Sequence, residues 1–405
     1  MLTPSKVDTN SLFITEQLNL LGIELAFKSV VGDDRADLEH AVRGALDRVG
    51  LVICCGGLGP TDDDLTRSVV AGVLGRELVE DDTITARIRA RFEGRGLQMP
   101  EINRRQAMVP VGVVVLPNTN GTAPGLWIDA GDQIVLLLPG PPRELKPMMS
   151  TLADGPLRTR AGDRALVRRV VRITGRSESH TEEAVQPLYK QWAQADTPIA
   201  ATILASLGQI ELHLSATSRS RADATAALDA AVAQVVSVMG LYVYSTDGRA
   251  LEEVLGSMLA ERGLTIGLAE SCTGGLIASR LTDVPGSSRY VERGVVTYSN
   301  ASKTELLGVP EDMIAAHGAV SEPVAVAMAE GIRSRGGVDI SIGVTGIAGP
   351  DGGTPEKPVG TVAIAVAAAA GTRVRTFRFV GGREMVKFQA SQAALDMVRR
   401  LLLER

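Results

Sequence analysis

The sequence predicts an α/β protein in which two α/β domains flank a small β-α-β-β-α-β module. Three observations lead there. In both outer thirds, short Val/Ile/Leu-rich runs that end in glycine turns alternate with segments of helical period, the rhythm of parallel strands buried on both faces. Between them lies one stretch in which two strand-like runs follow each other directly. Finally, 405 residues exceed one compact core, and at ~150 residues per domain they suggest two or three. Three are expected, at 1–155, 164–245 and 247–405.

In the first domain, Leu12, Ile14, Leu18 and Leu21 recur at helical spacing, with Asn10 or Ser11 as the cap. ELAFKSVVGD, residues 24–33, reads as a strand, 36–49 as a second helix, and LVICC, 51–55, as a strand entering the Gly56-Gly57 turn. VGVVVLP and QIVLLLPG add two strands to a parallel, doubly wound sheet. In the middle module RALVRRVVRITG, ATILAS, QIELHLSAT and LYVYS are strands, while SHTEEAVQPLYKQWAQ and RADATAALDAAVAQVVSVMG are helices. The order suits KH-like or ferredoxin-like sandwiches, but no GxxG nucleotide clamp lies between its helices, so it reads as a spacer or dimer element. The third domain opens with the helix TDGRALEEVLGSMLAERG. LTIGLAE, a helix from about Gly274, RGVVTYS, a helix after Glu322, DISIGVTG and GTVAIAVA follow.

Composition narrows the function classes. With 45 % hydrophobic and 22 % charged residues the chain is globular, and a formal charge of −5 without a basic stripe argues against a nucleic-acid partner. No run is read as approaching the ~20 apolar residues that span a bilayer, and no signal peptide is read at the N-terminus, so a cytoplasmic protein without a membrane partner is expected. Cys54 and Cys55 are neighbours that do not easily bridge, Cys272 stands alone, and the four histidines lack metal-ligand spacing.

Two regions carry chemistry. GGLGPTDDDLT, 56–66, follows a strand, and its glycines Gly56, Gly57 and Gly59 would let backbone amides approach a phosphate. LPGPP, with Gly140, is expected at the same rim. Asp64 and Thr66 could orient a metal, a water or a ribose hydroxyl; equally, the aspartates could simply begin the next helix. In the third domain ESCTGG, 270–275, with Thr273, Gly274 and Gly275, reads as a phosphate or carboxylate cradle at a helix start. The glycine-rich loop after VTG, with Thr345 and Gly346, forms a second rim. GSSRYVERGVVTYSNASK adds Ser288, Tyr298 and Lys303. A lysine made neutral by desolvation can take a serine proton, with Tyr298 as relay, which equips the domain for amide hydrolysis. Ser288 is the preferred nucleophile and Ser271 its rival, and the oxyanion would lie near Ser271 and Thr345. The bland reading has GSS capping a helix, Tyr298 packed and Lys303 solvated.

GGLGPTDDDLT, NTNGTAPGLWI and LPGPPREL resemble the molybdopterin-binding-type domain of the competence/damage-inducible CinA family. AESCTGG, GVVTYSNASK, HGAVSEPVA and VTGIAGPDGG-x3-KPVGT resemble its carboxyl-terminal domain, and the likeness runs along the whole chain. The resemblance implies a nicotinamide-nucleotide amidohydrolase in the third domain, which needs no cofactor. It also implies an ADP-ribose pyrophosphatase in the first, where a divalent metal is allowed with Asp64 as candidate ligand. Ser271, Ser288, Tyr298, Lys303 and Thr345 fall on motif positions, and Arg383 in VGGRE is a phosphate partner. Small nucleotide substrates follow from the same likeness, and a homo-oligomer, a homodimer, is expected with the middle module as a contact. The rival readings are a molybdopterin-binding, cofactor-handling protein and a non-catalytic interaction protein. Family members begin with a further strand ending in a G-x-E-L-L-like turn. Met1-Leu2 is similar to the tail of that turn, which implies a shortened first domain with an apolar seam.

Overall fold

The computed structural model describes residues 7–162, 164–206 and 208–404. Contacts group the chain into two compact units, Met1–Val167 with Thr217–Arg221, and Arg168–Ala216 with Ala222–Arg405.

The first unit carries α1 (Thr9–Leu20), α2 (Arg35–Leu46), β1 (Leu51–Cys55), α3 (Thr66–Val73), β2 (Leu78–Glu80), α4 (Asp82–Glu93), β3 (Met108–Pro110), β4 (Val114–Leu116), β5 (Gly125–Ala130), β6 (Gln133–Leu138), α5 (Pro142–Asp154) and α6 (Pro156–Ala161). Asp8, not Asn10 or Ser11, caps α1, accepting the Ser11 amide. The main sheet runs β1-β6-β5-β4; only β1 and β6 are parallel, because the tight β5-β6 hairpin reverses the chain. The expected wholly parallel sheet is therefore corrected to a mixed one. The expected strand at 24–33 is also corrected: that stretch forms no strand and has no strand partner among the described residues. Its apolar residues instead face the free edge of β1 across a cavity of about 1300 Å³, lined by Leu25, Phe27, Leu51, Ile53 and Cys55. Met1 and Leu2, on which the likeness to a turn was read, lie outside the described residues.

The middle elements are β7 (Ala165–Thr174), α7 (Glu178–Trp192), β8 (Ile199–Ser206), β9 (Gln209–Ser218), α8 (Arg221–Met239) and β10 (Val243–Ser245), with sheet order β10-β7-β9-β8. The predicted β-α-β-β-α-β order is observed. With its following turn, α8 spans the 22 residues Arg221–Tyr242, within which an 18-residue window has a mean hydropathy of 1.6, long and apolar enough by length and composition to cross a membrane. That corrects the expectation that no run approaches this length. The helix buries one stripe, Ala224, Leu228, Ala231, Val235 and Met239, and is tied to its neighbours by Trp192 to Gln234 (2.6 Å) and Arg169 to Asp229 (3.1 Å).

The carboxyl-terminal elements are α9 (Leu251–Arg262), β11 (Ile266–Glu270), α10 (Leu276–Thr282), β12 (Val291–Val296), α11 (Asn300–Leu307), α12 (Glu311–His317), α13 (Glu322–Gly336), β13 (Ile340–Gly346), β14 (Thr361–Ala368), β15 (Gly371–Arg378) and α14 (Arg383–Leu403). The sheet is β12-β11-β13-β14-β15, parallel across the first three strands and antiparallel beyond. β11, β13 and β14 are almost wholly buried because helices cover both faces. On one side α9, α10 and α14 pack over Leu268, Ile342 and Ile364; on the other α13 lays Ala325 and Ala329 on Ala363 and Ala365. The carboxyl ends of β11, β12 and β13 thus converge on one rim, where open α/β sheets place ligands.

Candidate active site

The rim is built from three strand ends. β11 runs out at Glu270, whose buried carboxylate turns back and accepts the amides of Gly275 (3.0 Å), Ile277 (3.1 Å) and Ala278 (2.8 Å). The start of α10 is therefore filled by the chain's own carboxylate. This corrects the reading of Gly274 and Gly275 as an open phosphate cradle: the helix-start amides that an anion would use are already satisfied. The two glycines, at φ +63° and +88°, are required by the left-handed turn itself. Its effect is to hold Ser271, tied by its amide to Val344 O at 2.9 Å, at the mouth of the sheet.

β12 ends beside it, joined by the Thr297 amide to Glu270 O at 2.8 Å. The chain then enters α11, capped by Ser299, which accepts the Ser302 amide at 3.0 Å. One turn on, Lys303 points back under the strand ends. Its side chain is the largest fully buried one among the described residues, at 1 % exposure. Nζ lies 3.2 Å from Ser271 Oγ, 2.8 Å from Thr297 O and 3.5 Å from Ser299 O. Burial holds the ammonium below the ordinary lysine range, opposed only by the neighbouring Cys272, whose own thiol burial pushes up to about 12. A neutral amine has two protons and one lone pair. Nζ donates to Ser271 Oγ and to the two carbonyls; only in the neutral form, with the two carbonyls as acceptors, would the lone pair be left for the Ser271 hydroxyl.

The structure does not bring Ser288 to this pair. Ser288 is exposed in the turn Ser287–Arg289 before β12, and the register pairs Ile266 with Val291 but Glu270 with Val296. Five strand steps of ~3.3 Å put it about 16 Å away, at the amino end of the sheet. The preference for Ser288 as Lys303's partner is corrected, since a parallel strand carries its two ends to opposite rims. Tyr298 is on the right rim but 61 % exposed, and its hydroxyl receives Arg383 Nη2 at 2.6 Å rather than meeting Lys303. Arg383 also donates to Gly349 O at 2.8 Å. Thr345, expected as an oxyanion donor, is buried and donates to Ala319 O at 2.8 Å, so its proton is committed elsewhere. Gly346 serves close strand packing, since a Cβ there would lie 2.9 Å from Thr361 O. Thr273 is fully buried with a hydroxyl that finds no partner among the described residues, as is Thr297. Sequence reasoning assigned no role to Glu270 and did not single out Lys387, which stands one helical turn from Arg383.

In the first unit Gly56 does meet Gly140: a Cβ on Gly140 would be 3.5 Å from Gly56 Cα, so the two glycine turns share a rim, at the edge of the cavity. The remaining glycines accommodate the chain itself. A Cβ on Gly57 would lie 2.1 Å from Thr66 Oγ1, and one on Gly59 2.3 Å from Asp64 Oδ2. Asp64 Oδ2 accepts the Thr61 amide (3.0 Å) and hydroxyl (2.6 Å), which closes a turn. Among the described residues no group of three His, Cys, Asp or Glu side chains gathers around Asp64.

The fold and the site together define a multidomain α/β protein whose carboxyl-terminal domain holds a buried serine-lysine pair at its strand ends. Residues 248–402 match the CinA C-terminal domain, 2–159 a probable molybdopterin binding domain, and 168–245 the damage-inducible protein CinA KH domain. The chain is 46 % identical to a CinA-like protein of Koribacter versatilis, over 100 % of this chain and 97 % of that one. It is 47 % identical to a putative competence-damage inducible protein of Symbiobacterium thermophilum, over 98 % and 95 %. The solved competence/damage inducible protein CihA of Agrobacterium tumefaciens is 40 % identical over 38 % of this chain and 96 % of its own, with a TM-score of 0.36. The chain belongs to the CinA family.

Proposed function

We propose that the carboxyl-terminal domain hydrolyses the amide of nicotinamide mononucleotide to nicotinic acid mononucleotide and ammonia, with Ser271 as nucleophile. The observation that carries this reading is the buried Lys303 amine 3.2 Å from Ser271 Oγ. Neutral Lys303 takes the Ser271 proton as Oγ attacks the carboxamide carbon, forming a tetrahedral oxyanion. The ammonium then passes its proton to the amide nitrogen, the C–N bond breaks, ammonia leaves and an acyl ester remains on Ser271. Water, deprotonated by the same amine, cleaves the ester and restores the serine. Tyr298 and Arg383 lie at the mouth, where they contact the bound nucleotide rather than relay the proton.

The experiment is ammonia release from nicotinamide mononucleotide by the full chain and by Ser271→Ala, which should be inactive; release undiminished in that variant overturns the assignment. The proposal extends to the amino-terminal domain as an ADP-ribose diphosphatase, on the joined Gly56 and Gly140 turns. Absence of AMP and ribose 5-phosphate from ADP-ribose removes that part. We read the protein as cytoplasmic and homodimeric, acting on free nucleotides with no nucleic-acid or membrane partner. Pterin binding without ammonia release would favour the cofactor-handling reading, and neither activity the interaction-protein one.

A further inference from the structure

We propose that Arg280 is a positioning residue of the serine-lysine pair: by tying α10 to α9 and α14 it holds the Ser271 hydroxyl within reach of the Lys303 amine. The proposal rests on the pair that the amidase reading makes reactive, and names the group that keeps its two members together. Ser271 and Lys303 come from opposite layers. The turn of Ser271 leads into α10, which packs with α9 and α14 on one face of the sheet, whereas Lys303 is carried by α11, which packs with α13 on the other. Their 3.2 Å contact is therefore set by two separately held helices.

α10 has only seven residues, fewer than the roughly 12 a helix needs to persist alone, so its neighbours fix its place. Arg280, its fifth residue, is 7 % exposed and reaches across to two of them. Nη1 donates to Ser391 Oγ at 2.7 Å, and Nη2 to Gln392 Oε1 and Glu252 Oε2, each at 2.7 Å. Cζ stands 4.8 Å from the centroid of the Phe388 ring. Glu252 belongs to α9, the others to α14. A planar guanidinium can address acceptors on two helices at once, and an ammonium cannot present that fork.

α10 and α14 run side by side in one direction. Gly274, just before α10, meets Lys387, and Arg280 meets Phe388, Ser391 and Gln392 further along. Arg280 thus grips α10 about 6 Å behind its first residue, four steps of ~1.5 Å rise. Stability does not account for the arrangement. A buried ion pair gives little net stabilisation over apolar side chains of the same volume. This one is also incompletely satisfied: Arg280 Nε and Gln392 Nε2 are buried with no partner among the described residues, each an uncompensated cost. What the fork supplies is one register of α10 against α14, and with it a fixed place for the turn of Ser271. A local cost kept behind a reactive group marks function.

The test uses an alkyl fluorophosphonate, which reports an activated serine without reference to any amide: Oγ attacks phosphorus, fluoride leaves and Lys303 takes the proton. The full-length chain should be labelled at Ser271, and Ser271→Ala should not. Arg280→Met, and Arg280→Lys, which keeps the charge but not the fork, should each be labelled at least tenfold more slowly, measured on folded protein well below the urea midpoint of each variant. In ammonia release from nicotinamide mononucleotide both should lose at least tenfold in kcat, with KM within twofold. Ser391→Ala removes one acceptor and leaves the charge pair, so it should show a smaller loss of the same kind. An unlabelled parent overturns the role, as does a lowered urea midpoint with parental labelling in Arg280→Met and Arg280→Lys. Should Arg280→Met not fold, parental labelling in Arg280→Lys and Ser391→Ala overturns it instead. Arg280-dependent labelling without ammonia release keeps the positioning role and removes the amidase, whereas ammonia release with labelling indifferent to Arg280 does the reverse.

Discussion

Replacing Lys303 by methionine removes the amine while keeping an apolar stem of similar length. In the folded protein Nζ has three neighbours, Ser271 Oγ, Thr297 O and Ser299 O. The substitution takes a donor from two carbonyls, a loss of about 1 kcal/mol each, so destabilisation should be near 2 kcal/mol, or about 4–8 °C in a domain of this size. The domain should therefore remain folded. Loss of general acid-base transfer should lower kcat about 10²–10⁴-fold. A second readout separates chemistry from packing. Burial lowers the folded-state pKa of Lys303 below its unfolded value near 10.5. Between those two values the unfolded chain binds the extra proton, so stability rises with pH through that window and the benefit is lost as pH falls through the folded value. The unsubstituted chain should show this rise in chemical denaturation as pH climbs toward about 10, and Lys303→Met should lack it. Ammonia release within threefold of the parent, with the same pH profile, would refute the role given to the buried amine.

Three further outcomes follow from the same geometry. Ser288→Ala should release ammonia within about twofold of the parent, because surface substitutions away from special features change little; a loss comparable to Ser271→Ala would return Ser288 to the site. Glu270→Gln, which exchanges a charge-assisted acceptor of three amides for a neutral one, should destabilise the domain by about 1.5–3 kcal/mol, read by denaturant midpoint. Gly360→Ala should be more damaging still. At φ +92° its Cβ would stand 1.9 Å from Phe379 O, and a soluble domain of parental stability would contradict the close approach of the two segments.

Much of the molecule is legible in its sequence because strand and helix periods are local properties. The β-α-β-β-α-β module, the strand LTIGLAE running into a glycine turn and the helix after Glu322 all follow from apolar spacing and turn residues. Lys303 and Ser271 could be nominated the same way, from residue types beside strand ends. The stretch at 24–33 shows the limit: its alternation is that of a strand, but a strand exists only where another edge pairs with it.

The choice between Ser271 and Ser288 belongs to tertiary structure. Both precede or follow strands of the same parallel pair, and composition cannot tell which end of a strand faces the rim; register does, by placing Val296 beside Glu270 and leaving Ser288 at the far end. The filling of the α10 turn by Glu270, the commitment of Thr345 to Ala319 and the arrival of Lys387 over Gly274 are decided there too. The sequence by itself determined which chemical groups were present and which elements would carry them. Only the packed sheet decided which groups meet, since a hydrogen bond between residues 32 apart, like that of Ser271 and Lys303, depends on strand order rather than on spacing along the chain.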